Sequence, residues 1–557
     1  MKWQHMVALR YLALLAGLCT VVSSPARAEA LATVPVYSPI DITFSGPRQT
    51  ARHVPARDIQ LAVTFRHENG APAFTVQGFF DGDGKGGVEG DTFKVRFCPT
   101  QTGTWHVTDV AAKAPELAGQ HLGDTVVATP SALHGFWIPD DESAGRRWYR
   151  RSDGSHQYIF GNTHYTLLTE HGPDGELPGG NIAADMAGNA KYFTKVRFSV
   201  HSDRYPHPTE KPFLDDAGQP TDDGAFSHRP NPRWFHQRVD VAVRSAYQHD
   251  LIADLILAGP DTQESRRALK AERSGGDATP YLRYIAARYG SYPNVWLCLA
   301  NEYDIKQPSY TQAEIARLGA AMRAMLPYPT PLSVHDGSRI GWSAQFDVLP
   351  EWADHQIIQR KIRSIAPAAD ALAFVWRGED GKGPRRKPTV NDELSYEGAG
   401  DKHSEADTIA AYLGAFLGGG YGTTGEKYGN KLGQYFWGHF DPAQHTAADN
   451  LGWLRQLIDR DITFWKLAPD TSGEAFPDLD PRFRVMSWKD REYVLGTDAV
   501  SAGVVAQLPA GRWTIARHDV LAKQSEVIAR DATGKVILEI PPSRAVLFHL
   551  KRTEVEQ

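Results

Sequence analysis

The chain has 557 residues, 41% hydrophobic and 23% charged, so its composition is globular and its length predicts two or three domains. A formal charge of -6 argues against nucleic acid or an anionic membrane surface as a partner. The 14 Trp and 21 Tyr suit a protein that stacks on flat apolar ligand faces, although filling cores accounts for most of them.

Lys2 and Arg10 flank or precede the short apolar run Tyr11–Val22, and Ala26-Arg27-Ala28 forms an A-x-A site. Residues 1–28 are therefore expected to be a signal peptide, cleaved after Ala28, on a bacterial protein that is secreted or periplasmic. No later run is long and apolar enough to span a bilayer. The two remaining cysteines, Cys98 and Cys298, fall in different expected domains and read as small buried hydrophobes rather than a disulfide.

Residues 31–135 predict an N-terminal β-sandwich. Alternating runs such as Ile59–Phe65, Ala73–Phe80 and Phe93–Phe97 are separated by Gly, Asp and Pro turns. The acidic run Asp81–Asp91 resembles a calcium loop, but Lys85 stands at a ligand position and Thr92 at the final bidentate one, so a plain turn is expected.

Residues 145–469 change character. Apparent strands at Tyr158–Phe160, Lys195–Ser199, Leu251–Ala258, Val295–Ala300, Pro331–Val334, His355–Ile358 and Pro388–Asn391 alternate with helical patterns. One of these, Thr311–Leu326, opens on a T-x-x-E capping box formed by Thr311 and Glu314. The alternation predicts a (β/α)8 TIM barrel with enlarged loops. A doubly wound sheet is the rival, but its glycine-rich phosphate loop is missing. Residues 470–557 return to short strands and predict a C-terminal β-sandwich.

In such a barrel the functional groups stand at the C-terminal strand ends. The apolar fourth strand ends in Asn301-Glu302, and the seventh ends in Asp392-Glu393. A partly desolvated carboxyl at Glu302 could hold and donate a proton. Glu393 would face it across one cleft. Two carboxyls converging in this way suit glycoside hydrolysis with retention, one attacking the anomeric carbon while the other serves as acid and then base. Asn301 would bond the sugar 2-hydroxyl. Secondary candidates at strand ends are His164 and Glu170-His171 after the first strand, Arg197 and His201 on or after the second, and His335 with Asp336 after the fifth. Glu397 competes with Glu393 for its role.

The Asn-Glu of strand four and the Glu of strand seven resemble the signature of the clan A retaining glycoside hydrolases. More narrowly, GNTHYTLL (Gly161–Leu168) and NDELSYEG (Asn391–Gly398) are similar to the first and seventh strands of apiosidase-like barrels. FFDGDG and RFCPTQTGTW resemble the fibronectin-like domain that precedes such barrels, and the tail resembles the small β-domain that closes them. The resemblance implies Glu302 as acid/base and Glu393 as nucleophile. It further implies that Arg197 orients the nucleophile, that His335 contacts nucleophile or substrate, and that Trp437 is a sugar-stacking platform. In one departure, Thr163-His164-Tyr165 stands where these barrels often carry a Trp after the threonine, which leaves the innermost sugar open.

No metal or cofactor is expected, since H-x-H after the first strand and H-E-x-x-H are both missing, and G-x-S-x-G is missing too. The expected partner is an oligo- or polysaccharide. The competing reading is a secreted carbohydrate-binding protein on the same fold that has lost activity.

Overall fold

A computed structural model describes residues 29–553 except 166, 170–181, 202–208, 338–349, 380–385, 399–401, 427–439, 441, 444, 500–501 and 543–544. The expected signal peptide, Glu170-His171 and Trp437 lie outside the described residues.

Eight strands form the central sheet, and every pairing in it is parallel. In chain order they are Phe160–Thr163, Lys195–Ser199, Ile252–Ile256, Val295–Cys298, Leu332–Ser333, Gln356–Ile358, Thr389–Glu397 and Tyr421–Glu426. Their order in space is 5-4-3-2-1-8-7-6, so the first strand lies beside the last. The two ends of that order meet where the Asp354 amide donates to the Leu332 carbonyl at 2.9 Å. This is a barrel-like domain, and helices lie outside it. The helix that follows the capping box runs Gln312–Met325, with Thr311 and Glu314 exchanging the two cap bonds.

The strands read as continuous buried runs because both faces are covered. In the second, Val196 and Phe198 pack into an apolar cluster with residues of the surrounding helices, while Lys195 and Arg197 meet charged and polar partners from other strands. Apolar residues thus alternate with chemistry-bearing ones at the period of the pleat. The strands Trp137–Pro139 and Tyr149–Arg151 pair with each other, and Trp137 and Tyr149 pack against Trp296 of the fourth strand. The Tyr149 hydroxyl also bonds His355 Nδ1 at 2.8 Å. His355 immediately precedes the sixth strand and so belongs to the opposite end from the carboxyls.

The N-terminal domain is β-rich, with seven strands in one hydrogen-bonded order. Ala73–Phe80 pairs with Leu61–His67 along its first part and with Gly90–Phe97 over its last three residues, passing from one sheet into another. The Phe65 and Phe97 rings stack 4.0 Å apart across that turn of direction and anchor the core. The acidic run beginning at Asp81 is a turn. Asp83 Oδ1 accepts from the Lys85 and Gly87 amides, and a Cβ on Gly82 would meet the Gly87 carbonyl oxygen. Cys98 and Cys298 are both free and buried. The last strands form a six-stranded sheet, Ala468–Pro469 to Gln524–Ala532, and a separate pair around a core with Trp513 and Phe548. Among the described residues no helix is long and apolar enough to cross a membrane.

Candidate active site

Beyond Cys298 the fourth strand keeps pairing with its neighbours. The Leu299 amide donates to the Ser333 carbonyl, the Asn301 amide to Ala258 and the Tyr303 amide to His335. Glu302 interrupts this run with a left-handed backbone, φ +45°, a conformation that costs free energy in a residue bearing a Cβ and that clusters at functional sites. On the far side of the barrel, Asp392 and Glu393 are adjacent yet both turn toward the interior. A register shift between Asn391 and Ser395 breaks the pleat there, and bulges of this kind re-aim side chains.

Glu302 and Glu393 are brought together. Gln359, just after the sixth strand, donates from one amide nitrogen to Glu302 Oε1 at 3.0 Å and to Glu393 Oε2 at 2.7 Å. Two oxygens bonded to one nitrogen at those distances are less than about 6 Å apart, beside the roughly 5–5.5 Å of a retaining carboxyl pair. The side chain of Asn391 exchanges two hydrogen bonds with the Arg360 main chain and so holds the turn that carries Gln359.

The other oxygen of Glu393 accepts from the Tyr165 hydroxyl at 2.8 Å. That hydroxyl accepts in turn from Arg197 Nη1 at 2.9 Å. Arg197 therefore reaches Glu393 through Tyr165 rather than directly. Its Nη2 donates to Asn301 Oδ1 at 2.5 Å, and His335 Nδ1 lies 2.5 Å from the same oxygen. Burial and the Arg197 charge push His335 well below the usual imidazole range, so the ring is neutral. Burial and the Glu302 charge push Glu393 above the ordinary carboxylate range, against the pull of Arg197, Lys361 and the Tyr165 hydroxyl.

Below the pair is a second charged layer. Lys195 Nζ donates to Asp392 at 2.7 Å and to Asp254 at 3.0 Å, and Thr423 donates to Asp392 at 2.6 Å. Burial would raise Asp392, but Lys195 and Arg197 outweigh it and hold the carboxyl below its usual range.

Three residues expected at the site are not brought to the gap or lie outside the described residues. His164 turns to the helix side, with Nε2 3.1 Å from Asn162 Nδ2 and Phe440 near its ring. Residue 165, one step along the pleat, is the one that enters. His201 packs against Phe213 and Tyr281 and donates from Nε2 to the Leu257 carbonyl at 2.7 Å. Burial lowers it to about 4 and keeps it neutral. Trp437 lies outside the described residues. Glu397 accepts from His445 Nδ1 at 2.8 Å and from the Thr446 and Ala447 amides, where it caps the start of the helix Ala448–Asp461. Sequence reasoning missed Tyr165 and Gln359. The available signal was that each is polar and stands within two residues of a strand end.

The match to known families follows this geometry. Residues 187–469, more than half of the chain, match the apiosidase-like catalytic domain. The chain belongs to the apiosidase-like family. Residues 33–110 match a domain of unknown function, DUF5060, that here precedes the apiosidase-like barrel. The assignment makes the chain a glycosidase. Among solved structures, a candidate glycoside hydrolase from Bacteroides vulgatus aligns with TM-score 0.69 at 22% identity, covering 94% of this chain and 100% of that one. A family 5 glycoside hydrolase from the same organism aligns with TM-score 0.56 at 12% identity, covering 75% of this chain and 94% of that one. At such identities the likeness is one of fold. A search of curated proteins found no match.

Proposed function

We propose that this apiosidase-like protein is a retaining glycoside hydrolase that cuts O-glycosidic bonds in an oligo- or polysaccharide by double displacement. The observation that carries the reading is the single Gln359 nitrogen within 3.0 Å of one carboxyl and 2.7 Å of the other. No water-sized widening separates them, as an inverting pair would need.

In the first step a Glu393 oxygen attacks the anomeric carbon. The bond to the leaving oxygen breaks, and Glu302 gives that oxygen its proton. In the second step Glu302 takes a proton from water, whose oxygen attacks the same carbon, and the ester to Glu393 breaks. Tyr165 and Arg197 hold the nucleophile and stabilise its charge as it is regenerated. With its oxygen taken by Arg197 and His335, Asn301 keeps its amide nitrogen for the sugar 2-hydroxyl. A sugar entering the gap takes the place of the Gln359 amide, so that side chain turns aside when substrate binds. The same reading makes residues 1–28 a cleaved export signal and the protein secreted or periplasmic.

The test begins with a screen of aryl glycosides for one that is turned over. On that substrate Glu393→Ala should lose on the order of 10⁴-fold in kcat, about 5.5 kcal/mol of activation barrier. Glu302→Ala should regain turnover with added azide and yield a glycosyl azide. Failure of azide to rescue Glu302→Ala, with a normal thermal melt, would assign the acid/base elsewhere.

A further inference from the structure

Glu302 is gripped from two sides by groups that the double displacement does not use. Arg266, at the end of the short helix Gln263–Arg266, is 1% exposed. Its guanidinium spreads over four main-chain carbonyls. Nη1 donates to Asn301 at 2.7 Å and Pro260 at 3.2 Å, and Nη2 to Glu302 at 2.9 Å and Lys306 at 3.2 Å. These bonds fix the turn in which Glu302 takes its left-handed backbone, and they bring Lys306 back over the same residue. Lys306 Nζ stands 2.5 Å from Glu302 Oε2 and also pairs with Asp261, on the loop after the third strand. The two oxygens of Glu302 thus have separate environments: Oε2 faces an ammonium, and Oε1 faces the gap through Gln359.

We propose that Lys306, anchored by Asp261, is a positioning residue for the acid/base: it pins Oε2 and leaves Oε1 as the oxygen aimed at the bond to be cut. The inference rests on the assignment of Glu302 as the acid/base. In the second step the same ammonium neutralises part of the negative charge that Glu302 carries before it takes the proton of water.

The other ionisable groups around Glu302 come from several elements. Glu393 faces it across the gap and Asp261 stands behind Lys306. Arg197 and His335 act through Asn301, and Arg266 through the main chain. Asp304 and Asp336 lie beside Tyr303, whose hydroxyl they and burial push up. Among these, Lys306 is the cation in direct contact with the carboxyl. Burial would lower Lys306, but Asp261 and then Glu302 outweigh it, so the ammonium stays charged across the working range.

The experiment is the pH profile of kcat/KM on an aryl glycoside that the full chain turns over. An opposite charge this close lowers a carboxyl by about 1–3 units, so Lys306→Met should move the alkaline limb up by at least about one unit and leave the acid limb in place. Lys306→Arg should restore the original limb. Lys306→Gln, which keeps length and a donor but no charge, should move it as Met does and covers the case in which the Met variant fails to fold. In a Glu302→Gln background the Lys306 changes should have no further effect. If both neutral variants lower the rate evenly and leave the alkaline limb where it was, Lys306 is only a structural contact and the proposal falls. If Glu302→Gln itself keeps full turnover and the alkaline limb, the acid/base assignment is what fails.

Discussion

The interface between the N-terminal domain and the barrel, and the mouth of the barrel, both bury charge, but they balance it differently. At the interface Asp81 lies 2.8 Å from Arg288 and 2.6 Å from Lys94, while Asp240 takes two bonds from Arg288 and stands 3.6 Å from Arg96. Arg288 bridges the two carboxylates, and each has a second cation, Lys94 for Asp81 and Arg96 for Asp240. Burial raises both carboxyls, but Arg288 and its neighbours outweigh it, holding Asp81 well below the usual range and Asp240 at about 2. At the mouth two carboxyls face each other through one amide, and Glu393 is pushed up instead. Matched buried charge joins two domains. Unmatched buried charge instead raises the proton affinity of a carboxyl in the cleft, and shifts of that kind cluster at functional sites.

The largest effect that should separate the two regions comes from Arg288→Met. Removing one partner of a buried ion cluster leaves Asp81 and Asp240 uncompensated and should cost about 3–5 kcal/mol of stability, read as a lower denaturation midpoint. The kcat of the folded fraction should stay at its original value. The loss should shrink as the pH falls below about 4, because carboxyls held low in the folded state contribute above their unfolded pKa and lose that contribution as they protonate. A constant loss from pH 7 down to pH 3 would mean that charge is not what holds the interface.

A smaller effect is expected at the mouth from Tyr165→Phe. It deletes the hydroxyl that links Arg197 to Glu393 and should lower kcat by about 10–100-fold, roughly 1.4–2.7 kcal/mol, with little change in KM. The acid limb of the pH profile should move upward, because Glu393 loses a donor to its charged form. An unchanged acid limb would detach Tyr165 from the nucleophile.

The smallest effect has the opposite sign. Glu393 has its proton affinity raised in the folded state, so ionising it costs stability as the pH rises through that raised value, and costs nothing where it is protonated both folded and unfolded. Glu393→Gln should therefore melt higher than the parent at pH 7, by about 1 kcal/mol, and equal to it near pH 4. Equal melting at both values would contradict the upward shift.

The two acidic residues were legible because an apolar buried run that stops abruptly at a carboxyl is rare, and a barrel exposes strand ends on one face. Tyr165 was not, because the choice between it and His164 depends on which way the pleat faces, and the first strand begins at Phe160 rather than at the expected Tyr158. Gln359 and Arg266 sit on a three-residue strand's exit and a four-residue helix, elements too short to show a period. His201 looked functional by position alone, but its Nε2 is taken by the neighbouring Leu257 carbonyl. The Lys195–Asp254–Asp392 layer joins residues from the second, third and seventh strands, and long-range charge pairing leaves no local pattern to read. The helix after Thr311 was legible nearly to the residue, since a capping box is local chemistry.

The central claim is that Glu393 attacks the sugar itself. NMR of the first product formed from an aryl glycoside tests it most directly. Double displacement predicts that the released sugar appears first with the anomeric configuration of the substrate and only later mutarotates. A first product of opposite configuration would show that water attacks in a single step and that Glu393 acts as a base.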